Sequence, residues 1–257
     1  MALVKRFACG IEFDGSKYHG WQRQPKLETI QGNIERILSQ IGNHDIHCHA
    51  AGRTDKGVHA KELVIHFDSS AKRSTATWNR ALNALLPNDI NCIWLKEVDQ
   101  KFHARHSAIA RTYEYKLCIN PNYQPISMRH DTWWFPYKFC HKKLDDACNV
   151  FLGEHDFSGY RGRDCQANSP IKTIQKIATQ KEQDKITISV TGNSFLHHMV
   201  RNIVGSLMLV AQGKQDLNWL KGSLKYKARL PEIPMAPAQG LTFIKAHYEI
   251  AEEISKD

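Results

Sequence analysis

FACGIEFDGSKYHGWQRQPKLETIQGNIERILSQIGNHDIHCHAAGRTDKGVHAKELVIHF, residues 7–67, decides the fold class. Phe7, Cys9, Ile11 and Phe13 alternate with Ala8, Gly10 and Glu12, the two-residue period of a strand with one more apolar face. A polar, aromatic-bearing loop from Asp14 to Lys26 follows, with Tyr18, His19, Trp21 and Arg23 in it. Then Ile30, Ile34, Ile37, Leu38 and Ile41 fall at i, i+4, i+7, i+8 and i+11, which predicts a helix with one apolar stripe, and Thr29 is placed to cap it. Strands are expected around Asp45–Ala51 and Leu63–Phe67, with Gly52 to His59 between them. The order β-α-β-β lacks the regular β-α alternation that builds a parallel sheet.

Outward from this stretch, the pattern predicts a helix over Thr77–Leu86 stopped by Pro87-Asn88, then strands near Cys92–Val98 and Ala110–Ile119. Pro121–Tyr137 reads as irregular. A helix is expected over Lys142–Leu152, stopped by Gly153, followed by strands at Ile171–Gln180 and Lys185–Gly192. Phe195–Gln212 is predicted as the longest helix, ended by Gly213. A short helix at Leu217–Leu224, a proline-rich loop at Pro231–Pro237 and a strand at Leu241–Tyr248 complete the chain. The β-α-β-β-α-β order of the first half recurs more loosely in the second. The expected class is α+β: two pseudo-repeated lobes sharing a mostly antiparallel central sheet flanked by helices. An N-terminal lobe of residues 1–100 and a C-terminal lobe of residues 101–257 are expected to form one continuous catalytic domain with a cleft between them. No flexible linker marks the boundary near Asp99–His103.

At 257 residues and 42% hydrophobic, the chain can bury a substantial core and is not of disordered composition. Its 35 Lys and Arg against 26 Asp and Glu leave +9, an excess suited to a polyanionic partner, since neutralising phosphates releases counterions. The seven cysteines are odd in number and contain no C-x-x-C pair, which argues against a disulfide framework or zinc ribbon and for a reducing, cytoplasmic setting. Lys5 and Arg6 have no apolar stretch behind them, so no signal peptide is expected. The most apolar segment, Ile203–Ala211, is too short to span a bilayer, and no membrane association is expected.

The residues with most chemical content are Gly52-Arg53-Thr54-Asp55-Lys56-Gly57-Val58-His59-Ala60. Two glycines bracket a carboxylate on a strand-to-strand connection, where a rigid scaffold can present a functional group. An aspartate is ionised at neutral pH and needs positioning, not a base, to act as a nucleophile. The residues alone favour the reading of an ordinary polar hairpin turn over this one.

This segment resembles the signature of the tRNA pseudouridine synthase A (TruA) family, in which G-R-T-D-x-G-V-H surrounds the nucleophilic aspartate. Further blocks resemble the family in its order: Phe13-Asp14-Gly15-Ser16 and Gly20-Trp21-Gln22; Phe102-His103-Ala104-Arg105 with Ala110-Arg111-Thr112-Tyr113-Glu114-Tyr115; Phe195-Leu196-His197-His198-Met199-Val200-Arg201-Asn202-Ile203-Val204-Gly205; and Ala236-Pro237-Ala238-Gln239-Gly240-Leu241. Lys56, where the family commonly has a small residue, and Ser158-Gly159-Tyr160-Arg161 depart from the pattern. The resemblance implies a pseudouridine synthase fold and the isomerisation of uridine to pseudouridine in the anticodon stem-loop of tRNA, at about nucleotides 38, 39 and 40. It implies Asp55 as nucleophile and Arg201, an arginine inside an otherwise apolar helix, as its ionic partner. Tyr113 would stack on the target uracil, Arg53 would help hold the uridine out of the stack, and Leu241 would form an apolar wall for the base. A homodimer is implied as well.

Such a reaction exchanges an N1–C1′ bond for a C5–C1′ bond and calls for no cofactor. Attack on ribose C1′, addition to uracil C6 and a glycal route all remain open. Lys17, Arg23, Lys56, Arg105, Arg111, Arg161 and Arg163 are candidate phosphate contacts. His47-x-His49, His103-x-x-His106 and His197-His198 lack the flanking pattern of a zinc site, and no phosphate-binding glycine motif occurs, so neither metal nor nucleotide cofactor is expected. The rival readings are a non-catalytic RNA-binding protein of the same fold, a metal-dependent nuclease using Asp55, His59 and other histidines, and a synthase of the same family with different target positions.

Overall fold

A computed structural model describes residues 3–163 and 165–249. The chain forms two compact units: one runs to Ile109 and takes up the chain again from Phe243, and the other is Ala110–Thr242.

The first unit holds β1 (Lys5–Phe13), α1 (Ile30–Gly42), β2 (Cys48–Ala50), β3 (His59–Ser69), α2 (Thr75–Leu85) and β4 (Ile90–Val98). β1 lies between β3 and β4, antiparallel to both, with Phe7 opposite Phe67 and Cys9 opposite Leu95. β2 pairs antiparallel with β3. The predicted stripe of α1 is its buried face: Ile30, Ile34, Ile37, Leu38 and Ile41 are all buried. Thr29 Oγ1 accepts the Gly32 amide, and Asn43 ends the helix at φ +58. On α2, Trp78 is fully buried, with its ring against Phe7 and Phe67. Burying such a ring contributes on the order of 2–3 kcal/mol. At Gly10 the Trp94 indole approaches so closely that a Cβ would stand 2.3 Å from Nε1.

The second unit contains β5 (Ala108–Cys118, from Ala110 onward), β6 (Trp133–Trp134), α3 (His141–Cys148), β7 (Gly153–Asp156), β8 (Ile171–Glu182), β9 (Lys185–Gly192), α4 (Met199–Ala211) and α5 (Leu217–Ser223). β5 is antiparallel to β9, β9 to β8, and β8 to β7, while β6 joins β5 in parallel. The final strand, β10 (Leu241–Tyr248), begins in this unit and continues in the first. The fold is α+β with mostly antiparallel pairing, and the β-α-β-β-α-β order of the first unit returns in the second with added strands.

Some boundaries differ from the sequence pattern. α4 starts at Met199, not Phe195, because His198 adopts the left-handed conformation at φ +64. The His197 carbonyl instead accepts the Gly162 amide. At 13 residues α4 equals α1, and the two share the place of longest described helix. β2 is shorter than Asp45–Ala51. β7 arises where a helix stop was expected, after Gly153 turns the chain at φ +92.

Candidate active site

Asp55 lies in the connection between β2 and β3 and is partly exposed. The connection is pinned from both sides. Ala51 donates to Val64 O at 2.9 Å, and Val58 donates to Asp55 O at 3.1 Å. Gly57, at φ +79, makes the turn after the carboxylate. The aromatic loop before α1 backs the connection: the Trp21 amide donates to Thr54 O at 3.0 Å. Gly20, at φ +86, sits so close that a Cβ there would lie 2.7 Å from Thr54 O and 3.1 Å from the Asp55 carbonyl carbon. Gly15 approaches Val58 in the same way, a Cβ falling 2.0 Å from its carbonyl oxygen. Buried His59 closes the loop, with Nδ1 3.1 Å from Asp14 Oδ1 and 3.3 Å from the Gly15 amide nitrogen. Ordinary hairpin turns are not clamped by a second loop; this clamp fixes where the Asp55 backbone points. Arg53, on the same connection, is exposed.

Tyr113, Arg201 and Leu241 belong to the second unit. Tyr113, 8% exposed, sits on β5 opposite Val190 and meets the Phe195 ring edge-on at 5.1 Å. Arg201 is buried on α4, the environment in which a guanidinium requires partners. Its Nε–H donates to Ala236 O at 2.8 Å, and its own carbonyl accepts the Ala236 amide at 3.1 Å. Leu241 is buried five residues further along, so the structure links Arg201 to Leu241 through this segment. Tyr115, two residues beyond Tyr113, is fully buried and donates to Pro237 O at 2.7 Å. Burial drives its phenol pKa well up, with the Arg201 charge opposing, so the hydroxyl stays a donor across the physiological range.

The basic candidates divide. Lys17 pairs with Asp89 at 3.3 Å and Arg23 with the buried Glu35 at 3.0 Å. Arg111 is buried and donates to Asn193 O; Arg161 donates to Cys165 O. Lys56 is exposed, with Nζ 3.5 Å from His19 Nε2, and Arg105 and Arg163 are exposed.

A sequence model of the family described as tRNA pseudouridine synthase matches residues 10–107 and 147–249. The chain belongs to this family. Its members are isomerases. A relative described as tRNA pseudouridine synthase A from Buchnera aphidicola is 44% identical over 252 residues, covering 96% of this chain and 92% of its own. Those of the same description from Aeromonas hydrophila and Photorhabdus laumondii are 42% and 40% identical, each covering 95% of this chain and, respectively, 90% and 92% of their own. The matched family stretches take in the Asp55 connection, α4 and Leu241, whereas Tyr113 falls between them. No described helix is long and apolar enough to cross a membrane.

Sequence reasoning missed Gly15 and Gly20 as the pieces that seat the Asp55 connection. The signal was present only as their place in the matching opening block. It also left Tyr115 as a packing neighbour of Tyr113, because its hydroxyl partner lies 122 residues away.

Proposed function

We propose that the protein isomerises uridine to pseudouridine in the anticodon stem-loop of tRNA, at about nucleotides 38 to 40, with Asp55 as the nucleophile. The observation that carries this reading is the clamped connection between β2 and β3. The backbone of a connection flanked by Gly52 and Gly57 is held by bonds to Thr54 O and Asp55 O, and the Asp55 it carries is left partly exposed. Tyr113 offers a ring for stacking on the uracil, a contribution of about 1–3 kcal/mol against the few kcal/mol that extrusion of a base costs. Arg53, Arg201 and Leu241 are assigned to the holding of the substrate. Arg201 supplies positive charge, and Leu241 an apolar wall. The net charge of +9 supports electrostatic attraction of the RNA arm, and Lys56, Arg105 and Arg163, all exposed, are assigned to phosphates. The protein acts in the cytoplasm as a homodimer, without metal or cofactor.

The test incubates wild type and Asp55→Asn with unmodified tRNA transcripts in the presence of EDTA and maps pseudouridine by nucleotide. Formation in the anticodon arm by wild type alone is expected. Equal formation by both proteins would remove Asp55 from the mechanism. Binding without reaction by either would favour an RNA-binding protein, and strand cleavage on adding divalent metal would favour a nuclease.

A further inference from the structure

The segment 230–240 has no strand and, until its last turn at Ala238–Gly240, no helix, yet it is anchored in the core at Leu230, Ile233 and Ala236. Buried backbone needs hydrogen-bond partners, and Pro231, Pro234 and Pro237 have no N–H with which to build a ladder. Besides the Ile233 amide, which donates to Leu230 O, its carbonyls are taken by side chains of the adjoining Arg229 and of distant Arg201 and Tyr115. Arg229 donates to Leu230 O and, at 2.6 Å, to Ile233 O. Arg201 Nε donates to Ala236 O, and the Tyr115 hydroxyl to Pro237 O. Steric fit reinforces these bonds. Pro234 O fills the place of a Cβ on Gly205 of α4, which would lie at 1.7 Å, and the Tyr115 ring fills that of a Cβ on Gly240, at 2.6 Å.

We propose that residues 230–240 form a strap whose course is set by side-chain donors, and that Tyr115 is a positioning residue for catalysis. The inference rests on the functional reading above. The Tyr115 hydroxyl fixes Pro237, four residues before the base wall Leu241. Through Ala236 the same strap holds the Nε edge of Arg201 and so orients its guanidinium plane. Tyr115 is fully buried, so no face of its ring is open to a substrate. A phenylalanine would fill the same volume and leave Pro237 O without its donor, so the hydroxyl serves the strap and not the core.

Tyr115→Phe separates these roles. Single-turnover formation of pseudouridine at saturating enzyme is expected to slow by about tenfold or more, since small misplacements of binding groups act on the chemical step. The dissociation constant for tRNA should change less than about threefold. Arg201→Lys, which keeps the charge but cannot reproduce the fixed guanidinium geometry, should be strongly non-additive with Tyr115→Phe. Amide exchange at Ala236, protected by Arg201 O, should accelerate in Tyr115→Phe whatever the activity. An unchanged Ala236 exchange rate overturns the strap. A wild-type single-turnover rate with accelerated exchange overturns the positioning role. Absence of pseudouridine formation in the wild type itself would strike the functional reading and leave the exchange measurement to decide the strap.

Discussion

Gly20→Ala tests whether the aromatic loop sets the position of Asp55. Two costs add there. At φ +86 an L-residue with a Cβ loses about 1–2 kcal/mol relative to glycine. The added Cβ would also lie 2.7 Å from Thr54 O and 3.1 Å from both the Asp55 carbonyl carbon and the Lys56 nitrogen. All three are backbone atoms, so no side chain can rotate away. Restoring van der Waals contact requires the connection to shift by roughly half an ångström or the bond from the Trp21 amide to Thr54 O to open, at about 1–2 kcal/mol more. Gly153→Ala supplies the control, because Gly153 has φ +92 and nothing within 4 Å of its would-be Cβ. Urea denaturation should therefore show a loss of about 1–2 kcal/mol for Gly153→Ala and about 2–4 kcal/mol for Gly20→Ala. Single-turnover pseudouridine formation should stay near the wild-type rate in Gly153→Ala and fall on the order of tenfold in Gly20→Ala. Equal destabilisation by the two substitutions, with wild-type turnover in both, would refute the clamp.

Acid should weaken the first unit through His66. Burial, together with His103, Arg6 and His49, holds its pKa down at about 4 against an ordinary 6.5, and its Nδ1 accepts the Ala104 amide. The unfolded chain binds a proton below 6.5 while the folded one does not until about 4, so stability is full above 6.5 and falls by up to about 3 kcal/mol as pH drops between the two. Urea midpoints from pH 7 to pH 4 should track this, and a wild-type slope retained in His66→Asn would exclude His66 as the source. Thr29→Ala removes the acceptor for the Gly32 amide and should cost about 1 kcal/mol in the same assay; no change in midpoint would show the cap to be idle. Gly205→Ala drives a Cβ to 1.7 Å from Pro234 O and should reduce thermal stability by more than Gly222→Ala, whose added Cβ meets nothing within 4 Å. Matching melting temperatures would contradict the close packing of the strap on α4.

What was legible in the sequence follows from how far its physical cause lies along the chain. The strand at Leu241–Tyr248 and the stripe of α1 are written in local periodicity, and the structure reproduces both. The start of α4 is not, because it depends on the backbone of His198 and on a hydrogen bond from Gly162 to His197 O that no window over Phe195–Gln212 contains. The same distinction divides the candidate site. Gly52 and Gly57 stand beside Asp55 and announce a turn, whereas the glycines that seat it are 35 and 40 residues earlier in the chain, Gly20 and Gly15. The strap is the extreme case: Pro231–Pro237 read as a proline-rich loop because two of the side chains that fix its course, Tyr115 and Arg201, stand far from it in the chain. A polar residue within an apolar helix, such as Arg201 in α4, is a local trace that such an arrangement leaves. Its partner has to be an acceptor elsewhere, and a proline-rich segment rich in unpaired carbonyls is a natural place to look for it.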